Sequence, residues 1–256
     1  YKNYRIHKKK LVMKTISPNL NLMIKACEKA SKILIRDFGE VENLQVSKKG
    51  PKDFVTNSDT KVEKVLINEL SKKKFSIISE ESGLKIKEDK NKYWIIDPID
   101  GTINFLHGIP HFCISIALIN HNEIISGVIY DPIKNEIYYA EKNLGAFLNN
   151  KRIRVSKKND LDECLFGTNT SGTKIKNLNL RVSGSAALDL AYVAAGKLDG
   201  FYQKDLNLWD IAAGMIIIRE AGGILNPIDI KKIKNHKIIA SSEINYRNLS
   251  NLLTNF

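Results

Sequence analysis

Apolar residues at Leu20, Met23, Ile24, Cys27, Ala30 and Leu34 fall on one face of a helical period, which predicts an amphipathic helix. Ser17-Pro18 supplies a cap and a proline at the first helical position, and Gly39 is expected to end the helix. A second helix is expected over about 59–70, capped by Ser58, with Val62, Val65 and Leu66 facing inward. After it the period changes. Residues 75–79 and 93–97 read as short strands that end in carboxylates, and 112–120, 123–130 and 136–140 read as an antiparallel meander. The polar joints at His121-Asn122 and around 131–135 are its turns. Helical spacing returns over 185–195, closed by Gly196, and over about 211–221, closed by Gly222-Gly223. A strand around Phe201, strands at Ile224-Leu225 and 238–240, and a last helix over 244–253 complete the order. This mixture predicts an α+β or α/β chain without internal repeats or a linker that clearly separates domains.

The length of 256 residues suits one large unit or two small ones. With 43% hydrophobic and 27% charged residues, fifteen glycines and six prolines, disorder and collagen-like repeats are excluded. No apolar run approaches the roughly 18–20 residues of a membrane span, so no membrane partner is expected. Cys27, Cys113 and Cys164 are odd in number and far apart, which fits neither a zinc site nor a disulfide framework and makes a cytoplasmic location the expectation. The formal net charge is +12, and Lys2, Arg5, Lys8, Lys9 and Lys10 stand together in 1–12 with no acid among them. That stretch has no apolar period and is expected to be a flexible leader or upstream extension, with Met13 opening the folded part. Elsewhere the excess is diffuse; it helps attract anionic substrates without marking a nucleic-acid site.

Acidic residues gather at element ends. Glu80 and Glu81 follow one strand, Asp97 and Asp100 bracket Pro98-Ile99 after the next, and Asp59 and Asp210 are expected to open helices. A fold can bring such carboxylates together, and hard cations such as Mg²⁺ take all-oxygen sets of this kind. In Asp97-Pro98-Ile99-Asp100-Gly101-Thr102 the proline fixes the backbone, so two carboxylates can face one site, and the Ile99 carbonyl offers a neutral oxygen. Gly101-Thr102 then permits a tight turn whose amides suit a phosphate at a helix start. A lone Asp-Gly-Thr would be read as a capped turn; the repeated carboxylates behind a hydrophobic strand favour a metal and phosphate site. His107 and His111 flank Gly108-Ile109-Pro110 and cannot share a helix face as zinc ligands, so they read as turn residues. Trp209 reads as a packing residue, and Gly222-Gly223 as a helix stop.

Four segments in order carry a resemblance: Asp53-Phe54-Val55-Thr56-Asn57-Ser58-Asp59, Ser79-Glu80-Glu81-Ser82-Gly83, Trp94 through Phe105, and Leu208-Trp209-Asp210-Ile211-Ala212-Ala213-Gly214. Together they resemble the inositol monophosphatase family, and Ser185 through Gly223 is most similar to its bacterial SuhB-like branch. The resemblance runs from Met13 onward. It implies a layered αβαβα sandwich forming a single unit over 13–256, with an N-terminal lobe of about 13–150 and a C-terminal lobe of about 151–256. It implies metal ligands at Glu80, Asp97, the Ile99 carbonyl, Asp100 and Asp210 for two or three Mg²⁺ ions, with Lys48 near an outer, weaker one. Asp59 and Thr102 would orient or activate the attacking water, with Glu80 counted among the catalytic groups. Amides near Gly101 and Thr102 would hold the phosphate, and Gly184, Ser185, Ala186, Gln203 and Asp210 would meet the sugar or alcohol. A homodimer and inhibition by lithium are implied as well.

Three departures stand out. Ile103 replaces the usual second threonine, the stretch 166–181 is short, and Gln203 stands where many inositol-specific members carry glutamate. The expected function is a Mg²⁺-dependent phosphomonoesterase for inositol monophosphate or a related small phosphate. Alternatives are histidinol phosphate, fructose bisphosphate or a 3′-phosphoadenosine nucleotide as substrate, or a SuhB-like partnership with the transcription and ribosomal-RNA machinery.

Overall fold

The predicted stripe Leu20, Met23, Ile24, Cys27, Ala30 and Leu34 forms the buried face of α1 (Pro18–Leu44). The structure, a computed structural model, describes residues 16–44, 51–169 and 178–253. The expected leader 1–12, Met13, Lys48 and positions 170–177 of the short connection lie outside the described residues. Ser17 Oγ accepts from Leu20 N at 3.2 Å, so the expected cap is present. The helix does not stop at Gly39, which keeps ordinary helical backbone without a left-handed φ. A glycine in a helix interior costs only about 1 kcal/mol, so it does not by itself end one.

The second helix, α2 (Pro51–Leu70), begins earlier than expected. Pro51 takes the first position, where the missing N–H costs nothing. Ser58 and Asp59 are therefore interior residues of α2. Ser58 Oγ donates to Asp37 Oδ2 at 2.8 Å and fastens α2 to α1 instead of capping a helix.

The larger sheet contains β1 (Phe75–Ser79), β2 (Gly83–Lys85), β3 (Asp89–Asp100), β4 (Cys113–Asn120), β5 (Glu123–Asp131), β6 (Glu136–Glu141), β7 (Gly145–Leu148) and β8 (Lys151–Arg152), in the order β2-β1-β3-β4-β5-β6-β7-β8. β1 and β3 are parallel, and the other pairs are antiparallel. His121 and Asn122, with φ of 48° and 62°, make the two-residue β4–β5 turn that a twisted hairpin favours. β2, β7 and β8 were not expected: they are too short or too polar to show alternation. A short helix, α3 (Thr102–Leu106), follows β3.

The smaller sheet, of order β10-β9-β11-β13-β12, contains β9 (Leu165–Gly167), β10 (Asn179–Arg181), β11 (Gly200–Leu206), β12 (Ile224–Leu225) and β13 (His236–Ser241). Between the sheets lie α4 (Ala186–Ala194) and α5 (Leu208–Glu220), and α6 (Glu243–Leu252) packs on β13. Alternation along β3 explains the layering. Trp94 and Ile96 join the core under α1 and α2, whereas Ile95 joins the core around α4 and α5. A third cluster, with Phe166, Tyr202 and Leu249, lies beneath α6. The fold is thus the expected αβαβα sandwich.

Glycines set the spacing of the middle layer. A Cβ on Gly214 would lie 2.6 Å from Leu190 Cβ of α4, and one on Gly127 of β5 would lie 2.8 Å from the Ala213 carbonyl. α5 can therefore approach both neighbours closely. Gly222, with φ of 84°, ends α5 in the left-handed conformation, as expected of a helix stop. Among the described residues, no helix is long and apolar enough to cross a membrane. The three cysteines are buried and unpaired.

Candidate active site

The end of β3 is irregular where the acids stand. Its register against β4 shifts between Asp97 and Asp100, which takes both out of the regular face-to-face alternation. Asp97 Oδ1 accepts from Ile99 N at 3.0 Å, and the Thr102 hydroxyl donates to the Ile99 carbonyl at 2.8 Å. Gly101 adopts φ of 92° to lead into α3, and a Cβ there would stand 2.9 Å from the His111 carbonyl. Only glycine combines that backbone with that approach.

Other elements deliver the remaining acids. Parallel pairing of β1 with β3 places Glu80 beside Asp97, with Glu80 N donating to the Ile96 carbonyl at 3.2 Å. Asp210 comes from the first turn of α5. It does not open the helix, which starts at Leu208; its Oδ2 accepts from Asn207 N at 2.7 Å and caps the turn. Asp59 comes from the interior of α2 and is nearly buried.

These carboxylates repel one another in a desolvated place. Burial, then Glu81, Glu80 and Glu63, push Asp59 up to about 8. Burial and then Asp100 raise Asp210 to about 7, although Asn207 N opposes the shift. Glu80 is raised by burial and by Glu81, Asp100 and Glu63. Asp97 is raised well above the carboxylate range by burial, Glu80, Asp100 and Asp210. Asp100 is raised by burial even though Ser185, Ala187, Ala186 and Cys113 all donate to it. Glu63 and Glu81 thus belong to the same electrostatic cluster. Glu63 was not expected; its spacing of one helical turn from Asp59 is the signal in the sequence that could have found it.

The start of α4 closes the site from the other sheet. Ser185 Oγ donates to Asp100 Oδ2 in a short bond, and Ala187 N donates to the same oxygen at 2.9 Å. Ser185 also caps α4, its Oγ accepting from Leu188 N at 3.3 Å. Gly184 has φ of 83°, and its N–H donates to Asn169 Oδ1 at 2.9 Å. Asn169 Nδ2 in turn donates to Gln203 Oε1 at 3.0 Å. Gly184, Ser185, Ala186 and Gln203 therefore lie in one network with Asp100. Asn104 reinforces it by donating through Nδ2 to the His111 carbonyl at 2.8 Å and to the Ser183 carbonyl at 2.9 Å. Asn169 and Ser183 were not expected; nothing in their local sequence distinguishes them from loop residues.

The residues read as structural behave so. His111 is buried edge-on against Tyr192, and burial followed by Arg181 and Lys134 pushes it down to about 4. Trp209 is buried in the middle-layer core. The Cys113 thiol is pushed well up by burial and by the charges of Asp100 and Asp97, which makes it a poor nucleophile.

Among the described residues no three His, Cys, Asp or Glu side chains stand as a ready-made metal cage. One oxygen each of Asp97, Asp100 and Asp210 is held by a protein donor. The donor chemistry nevertheless fits a hard cation: the set is all oxygen, anionic and raised in pKa for want of positive charge.

The profile of the inositol monophosphatase family matches residues 16–255. An inositol-1-monophosphatase of Mesorhizobium japonicum is 44% identical over 249 residues, which is 90% of this chain and 94% of that protein. The Nus factor SuhB of Escherichia coli is 40% identical over 226 residues, covering 82% of this chain and 85% of its own. The crystal structure of the extragenic suppressor protein SuhB from Bartonella henselae superposes with a TM-score of 0.83 at 40% identity, covering 94% of this chain and 100% of that one. The chain belongs to the inositol monophosphatase family, a class of phosphoric monoester hydrolases.

Proposed function

We propose that this protein is a Mg²⁺-dependent phosphomonoesterase that hydrolyses inositol monophosphate or a related small phosphate. The observation that carries the reading is the convergence of Asp59, Glu80, Asp97, Asp100 and Asp210 from four elements, each raised in pKa by burial and all but Asp100 also by acidic neighbours. Such crowding is costly unless positive charge arrives. Glu80, Asp97, the Ile99 carbonyl, Asp100 and Asp210 would hold two or three Mg²⁺ ions, which when bound supply Lewis-acid charge for a phosphoryl oxygen and an attacking water.

The chain's own groups do the rest. Asp59 accepts a proton from the attacking water, and the Thr102 hydroxyl fixes that water's position. The amides at Gly101-Thr102 hold phosphate oxygens where α3 begins. Gly184, Ser185, Ala186 and Gln203 surround the alcohol, as the polar network around Gly184 supports. Water attacks phosphorus directly as the phosphorus–oxygen bond to the alcohol breaks and the departing alkoxide takes a proton from solvent. Among the described residues Ser185 is committed to Asp100 and the Cys113 thiol stays protonated, so neither competes as nucleophile.

Phosphate release from inositol 1-phosphate, glycerol 2-phosphate, histidinol phosphate, fructose bisphosphate and a 3′-phosphoadenosine nucleotide, with and without Mg²⁺, tests the reading. Release from inositol 1-phosphate only when Mg²⁺ is present supports it. Absence of Mg²⁺-dependent release from every member overturns it. The name of the Escherichia coli relative, Nus factor SuhB, favours a second reading in which the protein also joins transcription machinery. Capture of purified transcription factors by the immobilised protein tests that reading separately.

A further inference from the structure

Asp189 of α4 is a buried carboxylate that the proposed reaction does not use. Its Oδ2 accepts from Ser183 Oγ at 2.7 Å, while its Oδ1 is buried without a hydrogen-bond partner among the described residues. A buried acid with an idle oxygen is costly, and such exceptions call for a reason. The fold makes room for it. A Cβ on Gly167 of β9 would lie 3.2 Å from Asp189 Cγ, so the strand runs close beside the carboxyl group.

The consequences run along a short chain of bonds. A serine hydroxyl has one proton. The Ser183 hydroxyl gives that proton to Asp189 while its oxygen accepts from Ser185 N, at 3.2 Å, so Asp189 fixes the direction in which the lone pairs point. Without Asp189, that proton would turn to the Ser185 carbonyl, 3.3 Å from Ser183 Oγ, and the lone pairs that accept from Ser185 N would be re-aimed. Ser185 is the residue whose hydroxyl donates to Asp100 Oδ2. Its conformation at the head of α4, shared with the Ala187 N–H that donates to the same oxygen, therefore contributes to which way the Asp100 carboxylate is held. The Ser183 carbonyl is pinned as well, by Asn104 Nδ2.

We propose that Asp189 is a positioning residue, acting through Ser183 and Ser185 to orient the Asp100 carboxylate for cation binding. The proposal rests on the assignment of Asp100 as a metal ligand. Groups that orient a ligand from behind typically change metal affinity by about 10- to 100-fold when removed. They leave the ligand itself in place.

Mn²⁺ binding to the metal-free protein, measured by calorimetry without substrate, tests it in wild type, Ser183→Ala, Asp189→Asn and Asp100→Asn. Ser183 is only half-buried, so Ser183→Ala is the variant expected to fold normally, with an unchanged metal-free Tm. It should bind Mn²⁺ about tenfold more weakly. Asp189→Asn, which keeps an acceptor for Ser183, should bind within about threefold of wild type, a smaller loss than that of Ser183→Ala. In Mg²⁺ titrations of turnover, Ser183→Ala should need more metal for half-maximal rate while reaching a near-normal kcat. If Ser183→Ala binds Mn²⁺ like wild type while Asp100→Asn does not bind it, the positioning role is overturned and the metal assignment stands. If Asp100→Asn binds as well as wild type, the assignment and the proposal both fall.

Discussion

Each acid of the site carries a cost in the metal-free protein that a neutral residue would not. Asp100 is held by Ser185 and Ala187 yet remains raised in pKa, because burial outweighs its donors. Asp100→Asn should therefore leave the metal-free protein melting no lower than wild type. Turnover should nevertheless fall by roughly 10²–10³-fold, the scale of losing one preorganised electrostatic group. A folded variant with near-normal turnover would refute the ligand assignment. Gln203 makes a second residue-level case. Its Oε1 is occupied by Asn169, and a glutamate could accept the same bond while adding charge for a sugar hydroxyl. A bond to a charged acceptor exceeds a neutral one by about 1 kcal/mol, or roughly fivefold in rate constant ratio. Gln203→Glu should raise kcat/KM for inositol monophosphate by that factor and leave glycerol 2-phosphate nearly unchanged. Equal responses of both substrates would show that Gln203 does not contact the alcohol.

The two glycines of α5 and its end separate conformational from steric demands at the level of elements. Gly222 stands in a left-handed conformation, and a Cβ added there would meet nothing within 4 Å, so Gly222→Ala should cost about 1 kcal/mol through backbone strain alone. Gly214 has helical backbone but faces Leu190 at 2.6 Å, and the obstructing atoms include the Leu190 Cβ, which cannot swing aside. Gly214→Ala should cost more, about 2–3 kcal/mol, by prising α5 from α4. It should also lower activity, since α5 carries Asp210 and Ser185 caps α4. Denaturant melts with parallel assays measure both; equal losses of stability would show that α4 and α5 can separate without penalty.

Across the whole molecule the acid cluster links stability to pH in the less common direction. An unfolded aspartate titrates near 3.9, whereas folded Asp59 is raised to about 8 and Asp210 to about 7. Between those limits the folded protein binds more protons than the unfolded chain, so stability falls as pH rises. The contribution is fully present below the unfolded pKa and lost as pH passes through 7 and 8. Metal-free Tm should therefore drop between pH 5 and pH 8 beyond what Asp59→Asn/Asp210→Asn shows. Added Mg²⁺ should raise Tm most at pH 8, where the acids are ionised and ready to bind it. A metal-free Tm that rises over this interval, relative to that double variant, would contradict the raised carboxylates.

Much of the molecule follows from local pattern. The face of α1, the meander of β4 to β6, the glycine stop of α5 and the turn at His121-Asn122 each need only neighbours in sequence to be specified. So did the Asp97–Thr102 turn, because proline, glycine and paired carboxylates dictate its backbone within six residues. The local pattern misled at Gly39 and Asp59, because one glycine is only a weak helix breaker and a Ser-Asp pair caps a helix only where one begins; α1 and α2 run through both. Resemblance to a family named the acids of the site, but their electrostatic state belongs to the folded chain. Only tertiary structure brought Glu80 and Glu81 beside Asp59 and joined Gln203 to Gly184 through Asn169. Desolvation and hydrogen bonds across layers depend on which elements pack together, and no spacing along one chain segment encodes them.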